Sequence, residues 1–211
     1  YSIVIASAAD VAQGRLEALL NYQTVICDLT GMEISNASLL DEATSAAEAM
    51  TMLYGCRSRD QIKNQVNKFI VSDDVFEQTL AFLQTRAEPL GIEIELRTTD
   101  SIKIDEKVFG CLVQYTGKTG KINDLEALSK KIEKSNCRLV VAADLMSLTV
   151  LKEPSAFNSD VVVGTSQRFG IPLGYGGPHA GYFATKMEFK RFIPGRIIGV
   201  SKDRNGNSAL R

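Results

Sequence analysis

The side chains best equipped for chemistry gather in and around one stretch, Asp160-Val-Val-Val-Gly164-Thr-Ser-Gln-Arg-Phe-Gly170-Ile-Pro-Leu-Gly174-Tyr-Gly-Gly-Pro-His179-Ala-Gly-Tyr-Phe-Ala-Thr185. It contains His179, the single histidine of the chain, with Gln167 and Arg168 on its entry side. Imidazole changes charge near neutral pH and can move protons. No Ser, Asp or Cys stands nearby in a recognisable triad, so His179 reads either as a functional contact or as a structural hydrogen-bonding group. Gly174, Gly176 and Gly177 suggest a phosphate-cradling loop. The G-x-x-x-x-G-K-[ST] lysine is missing, however, the spacing is not G-x-G-x-x-G, and apolar runs flank the stretch on both sides. It therefore reads as strand, tight glycine-rich turn, strand, a structural turn that can also line a partner's site. Arg168 and Arg196 can each hold an anion, but a salt bridge to the acidic early segment is the simpler expectation.

Two other places carry chemistry. Asp144 follows an apolar run at 139–143, where it can either meet a ligand or cap a following helix over 145–151. Asn36-Ala-Ser38 precedes a helical pattern, and the exposed N–H groups of a helix start suit a phosphate. The acids Asp41 and Glu42 in that first turn argue instead for capping. Four cysteines (Cys27, Cys56, Cys111, Cys137) lie far apart without C-x-x-C spacing, and with one histidine they form no metal set. Four free thiols are expected.

The elements that must position these groups alternate. Leu16, Leu19, Leu20 and Cys27 recur at helical spacing over 13–29, with Gly31 as the stop. A second helix is predicted over 38–54, with Ser38 as N-cap and Asp41 three residues on. Strands are predicted at Lys68–Ser72, 92–96, Val108–Tyr115, 139–143, 161–163 and 182–184, and helices over 75–87 and 124–134. Strands separated by helices specify an α/β fold with a mainly parallel mixed sheet and helices on both faces. Ligand sites in such sheets lie at the carboxyl ends of the strands.

The chain has 211 residues, a 45% hydrophobic share and a formal net charge of −1, which suits one large α/β domain. Nothing in that balance favours nucleic acid or an anionic membrane. Charge is uneven: five acids and no base lie between Asp28 and Glu48, against seven bases and two acids from Lys186 to Arg211. These faces are expected to meet each other or a partner chain. No run is long and apolar enough for a membrane span. The abrupt start and stop suggest a fragment.

The glycine-rich stretch, together with Gln13-Gly-Arg-Leu-Glu17, Leu20-Asn-Tyr-Gln23, Asp28-Leu-Thr-Gly31, Asn36-Ala-Ser-Leu-Leu-Asp-Glu42, Ala46-Ala-Glu-Ala-Met50, Gln84-Thr-Arg-Ala87 and Pro194-Gly-Arg196, resembles the glycine dehydrogenase (decarboxylating) family. This is the P-protein of the glycine cleavage system, and the likeness is to its amino-terminal, non-lysine half. The resemblance runs from about Val11 onward. It implies that 13–211 form the large domain of a fold-type I pyridoxal-phosphate (PLP) transferase, while 1–12 depart from the family's Tyr- and Pro-rich segment. It also implies PLP-dependent decarboxylation of glycine, with transfer of the aminomethyl group to the lipoyl H-protein.

In the family's catalytic half a lysine holds PLP just before the glycine-rich loop; matched to it, that position here is Gln167, whose amide cannot form a Schiff base. The implied partners are the PLP-bearing half or subunit, H-protein and glycine, in a homo- or hetero-oligomer, within a bacterial cytoplasm or a mitochondrial matrix. No catalytic residue is implied in this chain. Cofactor-binding roles carry over to Asn36, Ser38, Asp144 and His179, with Asp144 set 23 residues before Gln167, as a pyridine-nitrogen partner would be. Capping remains the competing role for Ser38 and Asp144. A desulfurase or other amino-acid decarboxylase of the same fold is the alternative, against which Gln167 stands.

Overall fold

The structure, a computed structural model, describes residues 14–211, so the divergent 1–12 segment lies outside the described residues. Helix α1 (Gly14–Thr30) buries Leu16, Leu19 and Ile26 along one stripe, as the spacing requires. It stops at Gly31, whose φ of 70° and N–H bond to the Cys27 carbonyl (2.8 Å) close the last turn. A Cβ there would sit 2.0 Å from Ser155 Oγ, so only glycine fits.

The chain then forms β1 (Ile34–Ser35), α2 (Glu42–Gly55), α3 (Arg59–Lys63), β2 (Lys68–Ser72), α4 (Glu77–Ala87), β3 (Glu93–Arg97), β4 (Val108–Tyr115), α5 (Leu125–Ile132), β5 (Arg138–Ala143), β6 (Val161–Thr165), β7 (Gly181–Thr185), β8 (Val200–Lys202) and β9 (Ser208–Leu210). Seven strands make one sheet in the order β1-β7-β6-β5-β4-β2-β3. Pairing is parallel from β3 through β2, β4 and β5 to β6, then antiparallel from β6 to β7 and β7 to β1. β8 and β9 pair as a separate hairpin.

Period-two alternation splits the sheet's side chains into two cores. Cys111, Val113, Leu139, Val141, Val162 and Tyr182 pack on one face with Ile26 of α1 and Leu125, Leu128 and Ile132 of α5. Phe69, Val71, Leu112, Val140, Val163 and Phe183 pack on the other with α2 and with Leu83 and Ala87 of α4. Helices thus cover both faces, as the alternation of elements requires. Each fully buried Val, Leu or Phe contributes roughly 1.5–3 kcal/mol of transfer free energy. Ala46, Ala47 and Ala49 of α2 are fully buried and let that helix sit close on β6 and β7.

Several expectations are corrected. The second helix starts at Glu42, not near Ser38, because Asp41 is its N-cap: Asp41 Oδ1 accepts the Thr44 N–H at 2.7 Å. Residues 36–39 form a bent connection instead, in which Leu39 bridges Gly181. The helix expected over 145–151 is only a 3-10 turn at Ser147–Thr149; the β-branched Thr149 and the exposed Val150 favour no longer helix. The connection between β6 and β7 is the long loop 166–180 rather than a tight turn. The four cysteines are free thiols, as expected.

Candidate functional site

The carboxyl ends of β4, β5 and β6 bring together the groups singled out in the sequence. The Asp144 N–H continues the ladder by donating to the Tyr115 carbonyl at 3.0 Å. Its carboxylate then turns back: Oδ1 accepts the Met146 N–H at 3.1 Å, and Oδ2 accepts from Arg168 Nη1 at 2.5 Å. Asp144 therefore caps a turn and pairs with a cation, and Arg168 binds Asp144 rather than the acidic early segment.

Gln167 is 8% exposed and is held at both ends. Its N–H donates to Thr165 Oγ1 at 3.3 Å, and its Nε2 donates to the Gly176 carbonyl. The side chain thereby bolts the glycine-rich loop onto the end of β6. Gly177 makes that closure feasible: its φ is 66°, and a Cβ would lie 2.3 Å from the Pro172 carbonyl oxygen.

Tyr182, fully buried on β7, donates to the Ala143 carbonyl at 2.8 Å, and burial pushes its hydroxyl pKa well up. Gly164 leaves room for that ring, since a Cβ there would meet Tyr182 at 2.6 Å. On α1, Tyr22 donates to Ser166 Oγ at 3.2 Å, and burial pushes its pKa up to about 12. Between α1 and the loop lies a largely apolar cavity of about 370 Å³, lined by Leu19, Tyr22, Ile26, Leu145, Ser166 and Phe169. Beyond it the loop presents Leu173 and Tyr175 to solvent.

The remaining expected site residues are dispersed. Asn36 is fully buried, and its Nδ2 donates to the Pro194 carbonyl at 3.0 Å, fastening the 194–196 strip to β1. Ser38 is half-buried in the connection before α2 and caps no helix. His179 is exposed on the loop, with no side-chain partner among the described residues. Arg196 sits in the 194–196 strip, where its carbonyl accepts the Ala37 N–H at 2.7 Å.

The residues present here do not fit a PLP cofactor. Gln167, the residue that the resemblance sets at the position of its covalent link, is an amide engaged with the Gly176 carbonyl. The carboxylate for its pyridine nitrogen already has Arg168 as partner, and Asn36 lies inside the core. Lys186 is occupied away from the loop by Asp160 at 2.9 Å. No group of three or more His, Cys, Asp or Glu placed to hold a metal occurs among the described residues.

Sequence reasoning missed Glu42 and Gln114. Gln114 Nε2 donates to Glu42 Oε1 at 3.1 Å, in a polar network that continues through Asn123 to Asp74. Burial pushes the Glu42 carboxyl up to about 7, against the opposing Gln114 hydrogen bond and with help from the charges of Asp144 and Asp41. An acid in a helix's first turn signals a cap, and only the fold places it against a glutamine of β4.

The profile of the Glycine cleavage system P-protein family matches residues 6–211. The glycine dehydrogenase (decarboxylating) of Flavobacterium johnsoniae is 53% identical over 211 residues, covering all of this chain and 22% of that protein. That of Nostoc punctiforme is 55% identical over 202 residues, covering 96% of this chain and 20% of that protein. The chain thus spans about a fifth of the length of the curated relatives it matches. A crystal structure of glycine decarboxylase (P-protein) of the glycine cleavage system, in inhibitor-bound form, superposes with a TM-score of 0.85 at 34% identity, over 95% of this chain and 46% of that one. The metB protein of Corynebacterium glutamicum shares the fold alone, at a TM-score of 0.60 and 19% identity over 81% of this chain and 42% of that one. With a mixed seven-stranded sheet of the fold-type I kind and a family match across nearly all its length, the chain belongs to the glycine cleavage system P-protein family.

Proposed function

We propose that this chain is part of the lysine-less half of a glycine decarboxylase, a scaffold that pairs with a PLP-bearing half and shapes its site. The whole enzyme then decarboxylates glycine and passes the aminomethyl group to the lipoyl arm of H-protein. PLP supplies the electron sink for that reaction and is held by the other half. The observation that carries this reading is Gln167, which the resemblance sets at the lysine position and whose amide fastens the loop to the Gly176 carbonyl. The Asp144–Arg168 pair supports it, since a neutralised carboxylate offers little to a pyridinium.

The chain's own contribution is positional. Phe169, Leu173 and Tyr175 stand exposed on a loop fixed at its root by Gln167, and they supply apolar area for the partner half. His179 on the same loop is then a contact to that half rather than to a cofactor held here. The compartment proposed is the bacterial cytoplasm or the mitochondrial matrix; among the described residues no helix is long and apolar enough to cross a membrane.

The test is a Gln167→Met variant of the intact protein, assayed for glycine-dependent CO2 release. A side chain that only fastens a loop should cost less than about tenfold in rate, whereas a catalytic group costs 10²-fold or more. Absence of glycine-dependent CO2 release in the unmutated protein would overturn the decarboxylase reading. A loss of about 10³-fold in the variant would place Gln167 in the working site instead.

A further inference from the structure

Gln114 is 1% exposed on β4, and its Oε1 is one of two buried side-chain polar atoms without a hydrogen-bond partner among the described residues. An orphaned buried acceptor carries a desolvation cost that native proteins seldom accept. Its sister atom Nε2 meets Glu42 Oε1 at 3.1 Å, so one of the two bonds such a pair needs is already made. A protonated carboxyl and a primary amide each offer one donor and one acceptor, and together they close a ring of two hydrogen bonds. We propose that Glu42 carries a proton in the folded protein and pairs with Gln114 through both bonds. Nε2–H donates to Glu42 Oε1, and the Glu42 Oε2–H donates to Gln114 Oε1, which satisfies the orphan.

The surroundings agree from every side. No cation lies within ion-pairing distance of Glu42 in the described salt bridges. Asp41 precedes it on α2 and Asp144 lies at the end of β5, and both acids act on it, while Tyr182 of β7 and Tyr22 of α1 pack on the sheet's other face. Arg168, the cation at Asp144, is already paired there. The positive end of α2 favours an ionised Glu42. Burial and two neighbouring acids oppose it, and they prevail: the carboxyl is pushed up to about 7.

The proton therefore acts as a clasp between the start of α2 and the end of β4. The loop that follows β4 hangs on the same residue. Asn123 Nδ2 donates to the Gln114 carbonyl at 3.1 Å, and Asp74 accepts from Asn123 at 3.3 Å and from Thr119 Oγ1 at 3.0 Å. Ionising Glu42 keeps the Nε2–H bond to Oε1 but removes the second bond and sets a carboxylate against the lone pairs of Gln114 Oε1, which loosens the hold of α2 on β4's end and the loop after it. The inference is a pH-sensitive device in the physiological range. It stands whether or not the catalytic reading above holds.

The experiment is amide hydrogen exchange on the full-length protein, followed by mass spectrometry of the peptides spanning 36–52 and 112–124 and corrected for the intrinsic pH dependence of exchange. In the wild type, protection should fall up to about tenfold per pH unit as pH rises from the ordinary glutamate value, about 4.3, to about 7, and level off above that. Glu42→Gln, the uncharged isostere, should hold the low-pH protection across the whole range. Wild-type protection that does not change with pH overturns the proposal. So does a Glu42→Gln protein that fails to fold or exchanges faster at the low-pH end. A wild-type-minus-variant infrared difference in the protonated-carboxyl stretch, vanishing as pH rises, is expected as the second readout; its absence contradicts the pairing.

Discussion

Two carboxylates flank β6 from opposite ends, and they live under different physics. Asp160 precedes the strand and is almost wholly buried. It accepts the Leu139 N–H at 2.9 Å and pairs with Arg138 at 3.0 Å and Lys186 at 2.9 Å. Asp144 lies at the carboxyl end of neighbouring β5, with its side chain 22% exposed and one partner, Arg168, that is 61% exposed. Both are acids beside arginines, but only the first is built into the sheet. A buried, multiply bonded charge holds an architecture together, whereas a half-wet pair at a strand end mainly sets which charge the site presents.

Substitutions should separate the two ends. Asp160→Ala leaves the Leu139 N–H without its acceptor and two cations beside an empty place, so a cost of about 3–5 kcal/mol is expected in chemical denaturation. Arg168→Ala should cost under about 1 kcal/mol by the same measurement, because water screens that pair. Equal costs would erase the contrast.

The pH dependence sharpens it. Glu42's folded pKa is raised, so ionisation is disfavoured in the fold. The folded state holds that proton where the unfolded chain has lost it, so stability falls as pH rises from about 4.3, the ordinary glutamate value, through about 7, and then levels. The total for this group is on the order of 3–4 kcal/mol. Glu42→Gln should remove this component from a series of unfolding curves across that window. A smaller effect is expected at Tyr182→Phe, which strips the Ala143 carbonyl of a buried donor: about 1–2 kcal/mol, read from the same curves.

Much of the frame was legible in the residues. Val108–Tyr115 is buried along its whole length, and a run that is apolar but for Gln114 reports such a strand directly. α1's stop at Gly31 follows from a position that only glycine can occupy. What escaped did so for physical reasons. Ser38 and Asp41 are both good caps, and the choice depended on Leu39 bridging Gly181, a contact made by chain far downstream. β1 has two residues and the β8–β9 hairpin is largely exposed, so neither carries a hydrophobic period. At the site, Gln167 and Asp144 stood out by type and spacing. Their partners, Gly176 and Arg168, came only with the path of the loop. The Glu42–Gln114 pair joins residues 72 positions apart and leaves no local trace.

The central claim, that this half holds no cofactor by a covalent link, is tested most directly by borohydride reduction of the intact, PLP-loaded protein followed by peptide mapping. The account predicts that the reduced pyridoxyl label falls on a single lysine outside residues 14–211, with Lys152 and Lys186 unlabelled. Stoichiometric label on any one lysine of this chain would contradict it.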